Sequence, residues 1–224
     1  MFCQHSGNNY LSGNIEDCKM NVYDFDKTIF YPDCTLDFIR WCIRRRPAYA
    51  GKWLPKVSLF AILYTIGLLK REEAERQMLK FFKYVENPEN EVREYWESHR
   101  FQMSPWYLLQ KKSDDLIISA SPEFIVKPMT DQLGVRLIAT QFDIKEGRIV
   151  GTSCYGKNKT LALIESGIYP EEPIDNFYSD SISDTPLALC ADHAFLIIKK
   201  ARKPITWPAS KFLVYFKKQK KSSK

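Results

Sequence analysis

The stretch "NVYDFDKTIF", Asn21–Phe30, reads as a buried strand broken by two acids. Asn21, Val22, Tyr23 and Phe25 suit a sheet interior, yet Asp24 and Asp26 stand at i and i+2 and so share one face. Two carboxylates on one face repel each other and resist burial. Either the strand ends here at a solvated edge, or a cation is expected between them.

Working outward, further short apolar runs read as strands at 115–119, 135–140, 174–179 and 194–198. Most are continuous rather than alternating, as in a parallel sheet covered on both faces. Helix patterns lie between them. One opens at Pro122, where proline suits a first helical position. A second spans 157–167 with Gly167 as its C-cap, and a third covers 184–191. Residues 141–153 read as a hairpin turning at "KEG". Alternating strand and helix predicts an α/β fold, a Rossmann-like doubly wound parallel sheet.

The segment 36–103 differs: it is long, helical in pattern and without a clear strand. It predicts an inserted all-helical cap over the C-terminal strand ends, with the core formed by 20–35 and 104–208. Within the cap, "WLPKVSLFAILYTIGLL" (53–69) is unusually apolar but shorter than the roughly 20 residues needed to cross a bilayer. The plainer expectation is packing inside the helical lobe; the sharper one is contact with a membrane surface or lipid substrate.

Of 224 residues, 45% are hydrophobic, enough for a substantial core. The net charge of +6 belongs to the C-terminus, because Lys199–Lys224 holds ten Lys or Arg and no acid, leaving the rest at about −4. The basic tail, 209–224, is read first as an aid to solubility, with anionic lipid as the other option. Nucleic-acid binding through it would be salt-dependent and sequence-blind, hence incidental. Residues 1–19 are polar, lack the apolar core of a signal peptide and read as a disordered leader. Six cysteines form no CxxC pair, and neither they nor the three histidines cluster as a zinc site would require. Reduced thiols in a cytoplasm are the expectation, with peripheral contact at the inner face of the membrane if the tail or cap meets lipid.

Four polar features fall at predicted strand ends or helix starts, where open α/β sheets build their sites. They are Asp24-Phe-Asp26-Lys-Thr28, Ser119 in "IISASPEF", Lys159 in "CYGKNKTLAL", and Asp180 with Asp184 in "FYSDSISDTP". Each alone is weak; in this order the set is specific. The chain thereby resembles the haloacid dehalogenase superfamily, in its phosphoserine-phosphatase-like branch with a helical cap after the first motif. "CxGxxK" at Cys154–Lys159 and "YSDSxxD" at Tyr178–Asp184 carry that resemblance. The cap opening, "FIRWCIRRRPAYAGKWLPKVSLFAILYTIGLLK", is most similar to bacterial phosphatidylglycerophosphatase members.

The resemblance implies a Mg²⁺-dependent phosphomonoesterase. Mg²⁺ takes oxygen ligands, and Asp24, Asp180 and the backbone carbonyl of Asp26 are implied, with Asp184 in support. Asp24 is implied as the nucleophile forming an aspartyl-phosphate, and Asp26 as the acid that protonates the leaving alcohol and then activates water. Ser119, with the neighbouring Ala120 backbone, would bind phosphate at the start of a helix, and Lys159 would face the phosphoryl oxygens. Lys157 competes for that last role, but the motif spacing favours Lys159. Thr28 is expected to brace the loop after the first strand as part of the phosphate-binding set, and Asp33 to face the substrate from the cap side.

Two departures bear on the substrate. Lys27 stands where many members have Gly, and ordinary backbone angles are expected there. Ser-Ala-Ser-Pro replaces the Ser-Gly-Gly of serine phosphatases. A small phosphate such as phosphoserine is the first expectation and a phosphatidylglycerophosphate-type lipid the alternative. A fold relative reduced to binding is disfavoured, since every motif residue is present.

Overall fold

The computed structural model describes residues 19–198, 203–208 and 210. The expected leader up to Cys18, its two cysteines and nearly all of the basic tail lie outside the described residues. A six-stranded sheet runs in the order β3 (Arg136–Thr140), β2 (Leu116–Pro122), β1 (Met20–Tyr23), β6 (Ile174–Ser179), β7 (Ala191–Ile198), β8 (Lys203–Thr206). All neighbours are parallel except β7 and β8. A small antiparallel pair, β4 (Phe142–Asp143) and β5 (Arg148–Ile149), forms the expected hairpin.

β1 lies between β2 and β6 in the sheet, and a separate apolar cluster packs on each of its faces, which is why its sequence is continuously apolar. Met20 and Val22 join Leu116, Ile118 and Phe177 on one face, packed against Leu163 and Leu187. Tyr23 and Phe25 enter the core on the other face. The chain order reverses on either side of β1, so the crevice beyond its C-terminal end is a topological switch point.

Between β1 and β2 the described structure is helical: α1 (Cys34–Arg45), α2 (Ala48–Thr65), α3 (Arg71–Leu79), α4 (Pro88–His99) and α5 (Pro105–Gln110), with short 3₁₀ turns. Aromatic rings weld these helices to the sheet layer. Trp96 of α4 meets Phe25 edge-on at 5.9 Å and Phe30 at 5.0 Å, and its indole N–H donates to the Ile125 carbonyl at 2.7 Å. Phe82 meets Phe124 at 5.1 Å, and Tyr107 of α5 meets Tyr23 at 4.8 Å. After β2 come α6 (Glu123–Leu133), α7 (Lys157–Glu165) and α8 (Thr185–Ala188).

Several sequence expectations need correcting. Among the described residues of the apolar stretch only Trp53 is buried, next to Tyr49 and Ala50 just before it, whereas Leu59, Ile62, Ile66 and Leu68 are more than half exposed. The lobe is too thin to cover a whole 18-residue helix, so the far end of α2 leaves it. β7 begins at Ala191 rather than 194, and the helix expected over 184–191 shrinks to α8. β8 went unread because Pro204 argues against a strand; at the sheet edge, paired only with β7, its missing N–H costs nothing. Pro122 closes β2 and caps α6 instead of opening the helix.

Lys27 supplies a further correction. Its φ of 61° lies in the left-handed region, so the expectation of ordinary angles fails. The Lys27 N–H donates to the Pro32 carbonyl at 3.1 Å, closing the loop after β1, and its ammonium pairs with Asp33 at 2.6 Å. A β-branched residue suits this conformation worst. Lys27→Val is expected to be less stable than Lys27→Gly by about 1–2 kcal/mol, both variants lacking the ion pair. Equal urea midpoints for the two would show that the loop relaxes out of the left-handed conformation.

Candidate active site

Asp24 directly follows β1 and is 6% exposed. One carboxylate oxygen accepts from the Thr28 hydroxyl at 2.9 Å, and the other from the Lys159 ammonium. Lys159 also donates to Asp184 at 2.8 Å, and the Ser179 hydroxyl donates to the same Asp184 oxygen at 2.8 Å. Lys159 thus bridges two carboxylates from different strand ends and is itself buried, whereas Lys157 is exposed. Asp184 holds the N-cap position of α8, but its side chain makes no capping bond, being committed to Lys159.

The glycine of the third motif has a backbone reason. Gly156 precedes α7 at φ 57° and ψ −125°, a region essentially closed to other residues. Its added Cβ would stand 3.4 Å from the Ser183 carbonyl, so the loop that aims Lys159 packs directly on the loop carrying Asp184.

Thr28 is buried, and its hydroxyl oxygen accepts from the Asp180 N–H at 2.9 Å while donating to Asp24. It braces the first and fourth motifs against each other. Ser119 is fully buried, its oxygen accepting from the Ser121 N–H at 3.1 Å. The Ala120 carbonyl accepts from the Thr140 hydroxyl at 2.7 Å, and Thr140 also accepts from the Cys154 N–H at 2.9 Å. Thr140, which the sequence did not single out, ties the second motif to the third.

The Asp26 carboxylate has two donors, the Cys34 N–H at 2.6 Å and the Ser121 hydroxyl at 2.6 Å. Ser121 in turn accepts from Thr35 at 2.8 Å. Asp33 lies beside this group: it caps α1 by accepting from the Leu36 N–H at 3.2 Å and pairs with Lys27. From α3, the Arg71 guanidinium sits 3.5 Å over the Tyr155 ring, and Glu75 accepts from Ser153 at 3.3 Å. The helical segment therefore touches the loop that leads into Lys159.

Electrostatics follow from burial. Burial pushes the Asp24 carboxyl up; Lys159 opposes this, Asp184 and Asp180 reinforce it, and the net result is about 7. Burial and then the charge of Asp33 raise Asp26 above the usual carboxylate range, against the pull of the Ser121 hydroxyl and of the Cys34 N–H and thiol. Burial disfavours the Lys159 charge, but Asp184 and Asp24 outweigh it and raise the ammonium above its ordinary value.

Among the described residues no three His, Cys, Asp or Glu side chains form a metal cluster; Lys159, not a metal, joins Asp24 to Asp184. The donor chemistry still fits a hard divalent cation. Asp24 and Asp180 offer carboxylate oxygens within each other's field, and one lysine leaves Asp24 short of compensating positive charge. Two thiols lie close, Cys34 beside Asp26 and Cys154 in the field of Asp24 and Asp184, but burial raises both above the ordinary thiol range and keeps them protonated, poor ligands beside carboxylates.

The chain is similar to a Mycobacterium tuberculosis (strain H37Rv) protein, "Probable phosphatase Rv3661", with 31% identity over 110 residues. That match spans 44% of this chain and 38% of the mycobacterial protein, so the chain covers under two fifths of that relative. Its fold is similar to the crystal structure of a Bordetella pertussis Tohama I protein of unknown function, with a TM-score of 0.66, 22% identity and coverage of 79% of this chain and 88% of that one. It is also similar to an unliganded "probable phosphoserine phosphatase" of Vibrio cholerae, with a TM-score of 0.57, 14% identity and coverage of 80% and 58%. At these identities the two structures establish the fold. The model of the family described as haloacid dehalogenase-like hydrolase matches residues 22–189, from β1 to just past α8. These residues span all four motifs, and the chain belongs to the haloacid dehalogenase-like hydrolase family.

Proposed function

We propose that the protein is a Mg²⁺-dependent phosphomonoester hydrolase working through a phospho-aspartate. The observation that carries this reading is the buried Asp24–Lys159–Asp184 bridge. A structural ion pair gains little from burying three charges; a nucleophile facing a phosphoryl anion needs both a fixed carboxylate and a fixed cation.

In the first half-reaction an Asp24 oxygen attacks phosphorus, the bond to the alcohol oxygen breaks, and Asp26 gives that oxygen its proton. In the second, Asp26 takes a proton from water, whose oxygen attacks phosphorus, and the Asp24–phosphorus bond breaks to release phosphate. Lys159 offsets charge on the phosphoryl oxygens, and Ser119 with the Ala120 backbone lines their pocket. Mg²⁺, held by Asp24, Asp180 and the Asp26 carbonyl with support from Asp184, would neutralise part of the phosphate charge. Residues 36–103 act as the cap, closing over a core of 20–35 and 104–208 and selecting the leaving group.

Phosphate release from p-nitrophenyl phosphate with and without Mg²⁺, followed by a panel of sugar, amino-acid, nucleotide and lipid phosphates, tests this. Turnover of at least one ester, dependent on Mg²⁺, is expected. Failure on every ester under both conditions would sink the reading in favour of a non-catalytic binding protein.

The substrate reading that gains support is the amphiphilic one. Ile62, near the far end of α2, is 58% exposed and Leu68, in the turn after it, 74%, an arrangement that suits the headgroup boundary of a bilayer. No helix among the described residues is long and apolar enough to cross a membrane. Vesicles rich in phosphatidylglycerol are expected to co-sediment the protein, and Leu59→Glu with Ile62→Glu to cut the bound fraction about tenfold or more by charging the apolar face. Wild type left wholly in the supernatant would return the choice to small phosphates.

A further inference from the structure

We propose that Ser121 is a positioning residue for Asp26, holding its carboxylate in the plane from which it protonates the leaving alcohol. The inference rests on the hydrolase reading above and goes beyond the motif residues, none of which is Ser121.

The backbone is irregular here for a local reason. Ser119 pairs with Ala139, but the next partners are Pro122 and Thr140, so two residues of β2 face a single step of β3. Such a bulge leaves residues out of the ladder and re-aims their side chains. Ser121 is one of them, and its hydroxyl points across to Asp26 at 2.6 Å. The residue is 6% exposed, so this bond forms with little competition from water.

A hydroxyl has one proton to give and two lone pairs. Ser121 gives its proton to Asp26 while accepting one from Thr35 at 2.8 Å, which fixes its direction. The Cys34 N–H holds the other Asp26 oxygen at 2.6 Å. Two anchors on two oxygens remove rotation about the Cβ–Cγ bond. Each oxygen keeps a second lone pair, on which the catalytic proton can rest and from which it can leave. Thr35 and Cys34 belong to the first turn of α1, and Ser121 to the end of β2, so the acid is aligned only when the helical segment and the sheet are docked.

Alanine at 121 deletes one anchor and strands the Thr35 hydroxyl. The loss should fall on leaving-group protonation, which an alkyl ester needs and a nitrophenyl ester scarcely does. The experiment compares kcat/KM for p-nitrophenyl phosphate and glycerol phosphate in wild type, S121A, S121T and T35V, with circular dichroism checking the fold. S121A is expected to raise the aryl-to-alkyl ratio about tenfold or more. S121T, which keeps the hydroxyl, should restore it, and T35V should shift it the same way by less. If S121A does not fold, T35V carries the comparison. An active wild type whose ratio is unmoved by S121A and T35V, or equal losses on both esters, overturns the inference alone. Any alkyl phosphate the wild type turns over can stand in for glycerol phosphate; a wild type inactive on every ester of the panel overturns the hydrolase reading and the inference with it.

Discussion

Replacing Asp24 with asparagine is expected to abolish phosphate release, by at least about a thousand-fold, while the protein stays folded. The amide keeps the size of the side chain and can still accept from Thr28, which donates to Asp24 at 2.9 Å. It cannot attack phosphorus as a carboxylate does. Burial already pushes the Asp24 carboxyl up to about 7, so its ionised form is held at a cost. Removing that charge relieves the cost, and against this Lys159 keeps Asp184 as its counter-ion at 2.8 Å. Losses and gains therefore offset, and the thermal midpoint should move by no more than a few degrees. The check is a burst of labelled phospho-enzyme in wild type that is absent from Asp24→Asn. A folded Asp24→Asn that still turns over would move the nucleophile elsewhere.

Lys159→Met should do the reverse and damage stability as much as rate. The side chains of Asp24 and Asp184 are 9% and 2% exposed, and Lys159 is the cation bonded to both. Without it two carboxylates face each other in a site closed to water. Breaking a buried ion pair from one side costs about 3–5 kcal/mol, and the loss of a preorganised cation at the phosphoryl group costs about 10²–10³ in kcat. In chelator the urea midpoint should fall accordingly. Mg²⁺ should then raise the midpoint of Lys159→Met by more than it raises wild type, because a second cation near Asp24 and Asp180 supplies the missing charge. That comparison reads metal binding without any turnover. A midpoint indifferent to Mg²⁺ in both proteins would remove the metal from the proposed site.

The contrast between these variants explains how much of the site was legible beforehand. Asp24, Asp26, Ser119, Lys159, Asp180 and Asp184 each sit at a strand end or helix start, a position that local pattern reveals. Gly156 was equally readable, since its φ of 57° is a backbone demand that a glycine in the sequence announces. Ser121, Thr35 and Thr140 were not. Their partners lie far along the chain, 95 residues away for Ser121 and Asp26, and a serine beside a motif carries no periodicity. The departure from the Ser-Gly-Gly pattern was visible as a change of residue, but what the new hydroxyl touches was not. Lys27 misled for the opposite reason. A lysine argues for ordinary angles, and only the closure of the loop onto Pro32 forces it to φ 61°.

The same division runs through the fold. Continuous apolar strands alternating with helices pointed to a parallel sheet, because burial on both faces is written residue by residue; that β1 lies between β2 and β6 was not legible. The inserted helices were legible from their period. Which side of α2 would be covered was not, since burial depends on what other segments supply: Trp53 finds Phe81 at 5.1 Å, and Ile62 finds solvent. By itself the sequence determined the class of the fold and the acids, serine and lysine placed around its switch point. The tertiary structure decided which of them share a proton or a charge. Hydrogen bonds and ion pairs depend on distances of a few ångströms between residues that only packing brings together.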